Sequence, residues 1–408
     1  MVATGVREIA SVARVLAGGK LGRYSAAESS RTARFEAESA EFLGARHTLA
    51  VNSGTSALLA ALVGVGVGPG DEVLVPAYTW VSTAAAPLVL GAVPVLVEID
   101  ESLTMDPADI RRKITPRTKA ILPVHMLNLV CDMDTITAIA REHGLAVVED
   151  ACQAFGVRYH GKRVGTLSDA GAFSFSQTKN ISSGEGGLVA TEDERIWSRA
   201  GMFHDVGSYT RKGYVQRDEP LFVGLNLKMS ELASSVLLPQ MRRLDAELDR
   251  YRARRRIAVE ELSAEPTIRV APHHSPEEAV GLVVTFDDPA DAERFGRLRG
   301  VNRLIETGRH VYTNWESIRG RRTYDERFDP YGWSGNADGT VHAETAPRTL
   351  DLLARTCRIS LHPELPALAT RILTRRMAAY RSNGAPLEAP AEPATAEQAA
   401  ERETVQQL

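Results

Sequence analysis

The stretch Gly171-Ala172-Phe173-Ser174-Phe175-Ser176-Gln177-Thr178-Lys179-Asn180-Ile181-Ser182-Ser183-Gly184-Glu185-Gly186-Gly187 sets one lysine among small and hydroxyl residues. Residues 172–175 read as a strand, and 188–191 as a second strand beyond a glycine-rich loop. A lysine between two buried strands is held in a pocket and partly desolvated. Desolvation disfavours the ammonium and frees its lone pair for Schiff-base chemistry. A loop lysine that merely follows a strand satisfies the same pattern, so the decision falls to the rest of the chain.

With 408 residues there is room for one large domain and a smaller one. A charged fraction of 25% with a net charge of −4 is globular, and it leaves no electrostatic footprint for nucleic acid or an anionic membrane. Cys131, Cys152 and Cys357 are too few and too scattered for a disulfide framework or a zinc site, so a reducing cytoplasm and no metal are expected. The first twenty residues lack the continuous apolar region of a signal peptide, and no run approaches a membrane span.

Residues 5–17 and 28–45 have helical periodicity. A short strand at 48–51 runs straight into Asn52-Ser53-Gly54-Thr55-Ser56-Ala57-Leu58. Hydroxyl residues opening a helix form an anion site, and they equally serve as a simple N-cap. Glycines 64, 66, 68 and 70 follow a helix and precede a strand at 72–75, the wrong order for a dinucleotide fingerprint. Tyr78-Thr79-Trp80 follow that strand, where ligands of open α/β sheets bind. A ring there stacks on a flat ligand or fills core. Strands at 93–97, 120–124 (ending at His125) and 145–148 (leading into Glu149-Asp150) alternate with helices at 107–114 and 132–143. Continuous apolar strands separated by helices imply a parallel sheet covered on both faces. Asp150 is then a carboxylate at the end of a buried strand, which needs a partner unless it caps a helix.

Two resemblances to other motifs fail. Gly156 to Lys162 nearly spells a phosphate-binding P-loop, but Arg163 follows where serine or threonine belongs. Ser176-Gln177-Thr178-Lys179 matches S-x-x-K of serine enzymes without the companion motifs. Beyond a helix at 192–203, the polar residues 206–220 read as a mobile loop. One long helix is expected from Ser230 to about residue 262, its arginines interleaved with acids as a solvated face. The domain boundary falls there, giving a large domain at 1–262 and a small α/β domain at 263–383. The small domain has strands at 268–270 and 281–286 and helices at 290–299, 347–356 and 365–380. Arg309, His310 and Tyr312 form its most polar-aromatic patch and are candidate substrate contacts. The Ala-, Pro-, Glu- and Gln-rich tail at 384–408 is expected to be disordered.

An anion turn, an aromatic residue, a strand-end carboxylate and a loop lysine thus share one sheet edge. Pyridoxal 5'-phosphate needs all four: a phosphate site, a ring face, an acid for its ring nitrogen and a Schiff-base lysine. Over residues 20–380 the chain also resembles the DegT/DnrJ/EryC1/StrS aminotransferases. The likeness is dense in Phe35-Glu36 with Phe42-Leu43-Gly44, in residues 52–58, in Gly70-Asp71-Glu72-Val73, in Glu149-Asp150-Ala151-Cys152-Gln153 and in the lysine stretch. The resemblance implies fold type I (aspartate aminotransferase-like), an α/β fold with a large mostly parallel sheet domain and a smaller C-terminal domain. It implies that Lys179 tethers the cofactor and shuttles a proton, and that Asp150 pairs with the ring nitrogen. Gln153 would lie against the ring or its oxygen, and Trp80 would stack on it. Gly54, Thr55, Ser56 and Ser174 would hold the phosphate. Asn226, in a segment resembling the family's Gly-x-Asn-x-Arg, would reach the phosphate of a neighbouring subunit, making a homodimer with shared sites.

The chain departs from the family wording at Lys228, at Met126-Leu127-Asn128 after His125, at Phe155 and at Ser176. In the family these positions face substrate, so His125 and Ser176 join the substrate candidates. The resemblance implies transfer of an amino group, L-glutamate being the expected donor with L-glutamine as the alternative, to a keto-sugar that can be nucleotide-linked. A cyclitol aminotransferase and a non-catalytic pyridoxal-phosphate-binding regulator of the same fold are the alternatives.

Overall fold

The computed structural model describes residues 4–23, 30–207, 220–334 and 345–383; the expected disordered tail and most of the expected loop at 206–220 lie outside them. The apolar runs form β1 (His47–Val51), β2 (Glu72–Pro76), β3 (Val93–Val97), β4 (Thr118–Ile121), β5 (Ala146–Asp150), β6 (Arg158–Tyr159), β7 (Lys162–Arg163), β8 (Ala170–Ser174) and β9 (Gly187–Thr191). Seven of these make one sheet in the order β1-β9-β8-β5-β4-β2-β3. Only β9 runs antiparallel to its neighbours in it. The carboxyl ends of β1, β2, β5 and β8 therefore lie on one edge, where such sheets bind ligands. The near-P-loop sequence is instead the hairpin β6–β7, turned at His160 and Gly161, both with positive φ.

Helices α1 (Val6–Gly18) and α2 (Arg31–Leu43) precede the sheet; α3 (Gly54–Gly64), α4 (Ser82–Val89), α5 (Pro107–Lys113) and α6 (Met133–His143) connect its strands; α7 (Glu194–His204), α8 (Glu231–Met241) and α9 (Leu244–Leu262) follow. Nine of the 11 residues of α3 are buried, because it packs on β8 and β9 with α7 over it. That explains a sequence apolar all round rather than striped. Some expected boundaries move. Strand β4 stops at Ile121, since Pro123 has no N–H for the ladder; its carbonyl instead accepts from Asp150 N at 2.8 Å. The expected long helix is split between Met241 and Leu244, two residues after Pro239 withdraws a backbone donor.

A second, antiparallel sheet has the order β10-β11-β13-β12, from β10 (Arg269–Val270), β11 (Val283–Thr285), β12 (Val301–Arg303) and β13 (Thr356–Ile359). The last two strands are too short to show a period in sequence, and the expected helix at 347–356 stops at Ala354 so that β13 can begin. The helices here are α10 (Pro289–Gly296), α11 (Glu316–Arg319), α12 (Pro330–Ser334), α13 (Pro347–Ala354) and α14 (Ala367–Asn383). No helix among the described residues is long and apolar enough to cross a membrane.

An aromatic cluster underlies the lysine strand. Phe155 meets Phe173 and Phe175 edge-on at 5.3 and 5.2 Å, and Phe35 meets Phe175 at 5.4 Å. On the same helix as Phe35, Glu36 accepts from Ala50 N at 2.9 Å and ion-pairs with Arg23, tying α2 to β1. Burial lifts the Glu36 carboxyl from 4.5 to about 6, with Arg23 and the Ala50 amide opposing but not cancelling it. A carboxyl raised in the folded state binds its proton more tightly there than in the unfolded chain. Its contribution is fully present below pH 4.5 and lost as pH rises through about 6. The change across that window is about 2 kcal/mol. Denaturant unfolding at pH 4.5–6.5 should show this slope in the wild type and a flatter one in Glu36→Gln; equal slopes refute the assignment.

Candidate active site

Strand β1 ends at Val51, and the chain turns through Asn52 and Ser53 into α3. Ser53 caps the helix, its hydroxyl accepting from Ser56 N at 3.1 Å. Ser56 donates to Asn52 Oδ1 at 2.6 Å and Thr55 to Ser82 at 2.9 Å, so the hydroxyls are held in place. Two glycines make the packing feasible. A Cβ on Gly54 would lie 2.7 Å from Ser174 Cβ and 3.1 Å from Cys152 Sγ. A Cβ on Gly187, the first residue of β9, would lie 2.2 Å from Ser53 O. Gly54, Thr55, Ser56 and Ser174 therefore converge on one helix N-terminus, a cradle suited to phosphate.

Asp150, 3% exposed, lies beside this cradle. Its Oδ1 accepts from Cys152 N at 3.1 Å and its Oδ2 from the Thr83 hydroxyl at 2.8 Å. Thr83 spends its one proton there, so Thr79 donates to Thr83 at 2.7 Å. Among the described residues no arginine, lysine or histidine ion-pairs with Asp150. It caps no helix; it is a buried carboxylate held by two neutral donors. Thr83 and Cys152 escaped the sequence reading. The cluster of hydroxyls at Thr79, Ser82 and Thr83 in an otherwise apolar stretch was the available signal.

Lys179 stands in a loop closed at its base by pairing of Ser176 with Gly184, not in the helix an S-x-x-K enzyme requires. Burial and the Asp150 charge push the Cys152 thiol well above its ordinary value, while the Lys179 ammonium opposes them. Burial also lowers His310, the Thr307 carbonyl opposing and Lys179 adding to the fall. Lys179 thus lies within electrostatic reach of both Cys152 and His310. Gln153, half-buried, accepts from Leu127 N at 3.0 Å. Ser176, half-buried, donates its N–H to Ser174 Oγ at 3.3 Å.

The segment around Arg309 belongs to the same place. Thr79 N donates to His310 O at 3.0 Å, and Tyr78 pairs with Val311. This sets His310 5.1 Å from the Trp80 ring and the Arg309 guanidinium over that ring at 4.9 Å. Three expected substrate-facing residues are not brought to this cleft. Tyr312 is wholly buried in apolar core, its hydroxyl accepting from Ala346 N at 3.2 Å. His125 is also wholly buried, with Nε2 on Glu149 at 3.0 Å and Nδ1 accepting from Cys131 N at 3.2 Å, which leaves no ring nitrogen for a ligand. Phe155 serves the aromatic cluster. Asn226 is exposed, while its neighbour Leu227 accepts from Asn52 N at 2.7 Å and Lys228 ion-pairs with Asp205. No group of His, Cys, Asp and Glu among the described residues can hold a metal ion.

Residues 3–310 match the model of the DegT/DnrJ/EryC1/StrS aminotransferase family. The chain is 41% identical over 215 residues to the GDP-perosamine synthase of Caulobacter vibrioides, covering 52% of this chain and 57% of that protein. It is 41% identical over 244 residues to the L-glutamine:2-deoxy-scyllo-inosose aminotransferase of Micromonospora echinospora, 57% of each chain. The matched stretches thus span under two thirds of these relatives. The structure of DesV of S. venezuelae in complex with a ketimine intermediate superposes with a TM-score of 0.69 at 30% identity, covering 91% of this chain and 94% of that one.

The cradle predicts its own failure. Gly54→Ala should weaken binding of inorganic phosphate, measured by calorimetry, by about tenfold, the usual cost of overpacking. Unchanged affinity would remove the turn as an anion site.

Proposed function

The chain belongs to the DegT/DnrJ/EryC1/StrS aminotransferase family, and on that premise we propose that it is a pyridoxal 5'-phosphate-dependent aminotransferase acting on a keto-sugar in amino-sugar biosynthesis. The observation that carries the reading is Asp150, a buried carboxylate that ion-pairs with no cation among the described residues, beside an anion cradle. A protonated ring nitrogen supplies the missing counter-charge, and a phosphate the missing anion. When bound, this cofactor provides a carbonyl that captures amines and a ring that withdraws electrons.

The chain's own residues do the rest. Lys179 would hold the cofactor and move a proton at Nζ. Asp150, oriented by Thr83 and Cys152 N, keeps the proton on the ring nitrogen. Trp80 would offer its ring to the cofactor. Gln153, steadied by Leu127 N, would contact the ring or its oxygen. Gly54, Thr55, Ser56 and Ser174 bind the phosphate. Arg309 and His310, set against Trp80, meet the substrate with Ser176. L-Glutamate is the donor, with L-glutamine as the alternative. The resemblance to the perosamine synthase supports a sugar acceptor, and the equal identity to the inosose aminotransferase favours a cyclitol as the second reading. Assay with a nucleotide-linked keto-sugar and with an inosose separates the two.

The reading includes a cytoplasmic homodimer. Three free thiols support the compartment. Val6, Ile9 and Leu16 on α1 are 81, 67 and 55% exposed, and Val223, near Asn226, is 90% exposed. Such apolar surface supports a second copy covering it, with Asn226 turned to that copy's phosphate. Light scattering should give twice the chain mass, and Ile9→Asp with Val223→Asp should shift it toward one; a monomeric wild type would rule the dimer out. Lys179→Ala should lose the visible absorbance of bound cofactor and all amine transfer. Turnover surviving in that variant would sink the reading.

A further inference from the structure

Two amide side chains, Gln240 from a distant helix and Asn180 from the loop itself, tie down the chain just after Lys179. Gln240, 1% exposed, lies in the last turn of α8. Its Oε1 accepts from Ser182 N at 2.9 Å and its Nε2 donates to Ser182 O at 2.8 Å. The two bonds imitate one rung of a β-ladder where no strand runs. Asn180 donates from Nδ2 to Asn128 Oδ1 at 2.9 Å and to Phe155 O at 3.0 Å. Ile181, between the two anchors, is fully buried. Asn128 and Leu127 both adopt left-handed backbone, with φ of 61° and 55°. Leu127 N also holds Gln153. One strained turn thus braces both the lysine loop and the glutamine beside the cleft. Gln177 and Thr178, before the lysine, are exposed instead.

A lysine side chain is a flexible four-carbon stem, so its backbone must be fixed if the amine is to arrive in a reactive position. We propose that Gln240 and Asn180 are positioning residues for Lys179, pinning its backbone from the carboxyl side so that Nζ meets the cofactor carbonyl. The proposal rests on the functional reading above.

The test uses the full chain with pyridoxal phosphate and, separately, inorganic phosphate. Gln240→Met keeps the volume and removes both bonds; Asn180→Ala removes the other anchor and serves alone if the first variant does not fold. Each should weaken pyridoxal phosphate binding roughly tenfold, the scale of two lost hydrogen bonds. Each should also shift the pH midpoint of the bound cofactor's visible band, while phosphate affinity, set by the α3 turn, stays unchanged. A general structural role would weaken both ligands together and leave the midpoint in place, which overturns the proposal, as does wild-type behaviour of both variants. A wild-type chain that binds phosphate but never pyridoxal phosphate overturns the functional reading, and the proposal with it.

Discussion

The Asp150 carboxylate is held at the end of β5 by a threonine hydroxyl and a backbone amide, and the surrounding layers keep those donors aimed. Thr83 comes from α4, which follows β2 after a short connection. Cys152 supplies the amide, and its thiol fills the space beside Gly54. The acid and the anion turn are therefore parts of one packed unit. A group displaced in either would be felt in the other, because close-packed interiors transmit small shifts.

The chain around the second sheet reaches the cleft through a strip of backbone. Residues 308–312 run beside 77–79 and carry Arg309 and His310 to Trp80. This strip runs over a buried cluster shared by the two sheets, in which Tyr78, Ile99 and Val124 pack with Val283, Val311 and Leu352. Tyr312 is the price of that join: it is consumed as packing, wedged into the core of the first sheet.

Much of this was legible in the chain. Apolar strand runs, the turn at 52–56 and the strand-end Asp150 all follow from local pattern, and β9 was found as a strand. Its antiparallel direction was not, because direction depends on pairing partners. His125 and Tyr312 misled for a common reason. Polar and aromatic side chains near a cleft look available in sequence, whereas burial depends on which distant groups satisfy them: Glu149 for one, Ala346 for the other. Thr83, Gln240 and Asn180 act through partners 67, 58 and 52 positions away, a separation that no window along the chain can see.

Because β9 lies directly beside β8 and runs back along it, the lysine loop is a hairpin excursion and not a crossover. Ser176 and Gly184 close its neck. A loop sealed at the neck is insulated from the sheet: its exposed residues, Gln177 and Thr178, can be exchanged without changing the register of any strand. Substitution at those two positions is then nearly free of folding cost, because neither side chain is packed into the layers below.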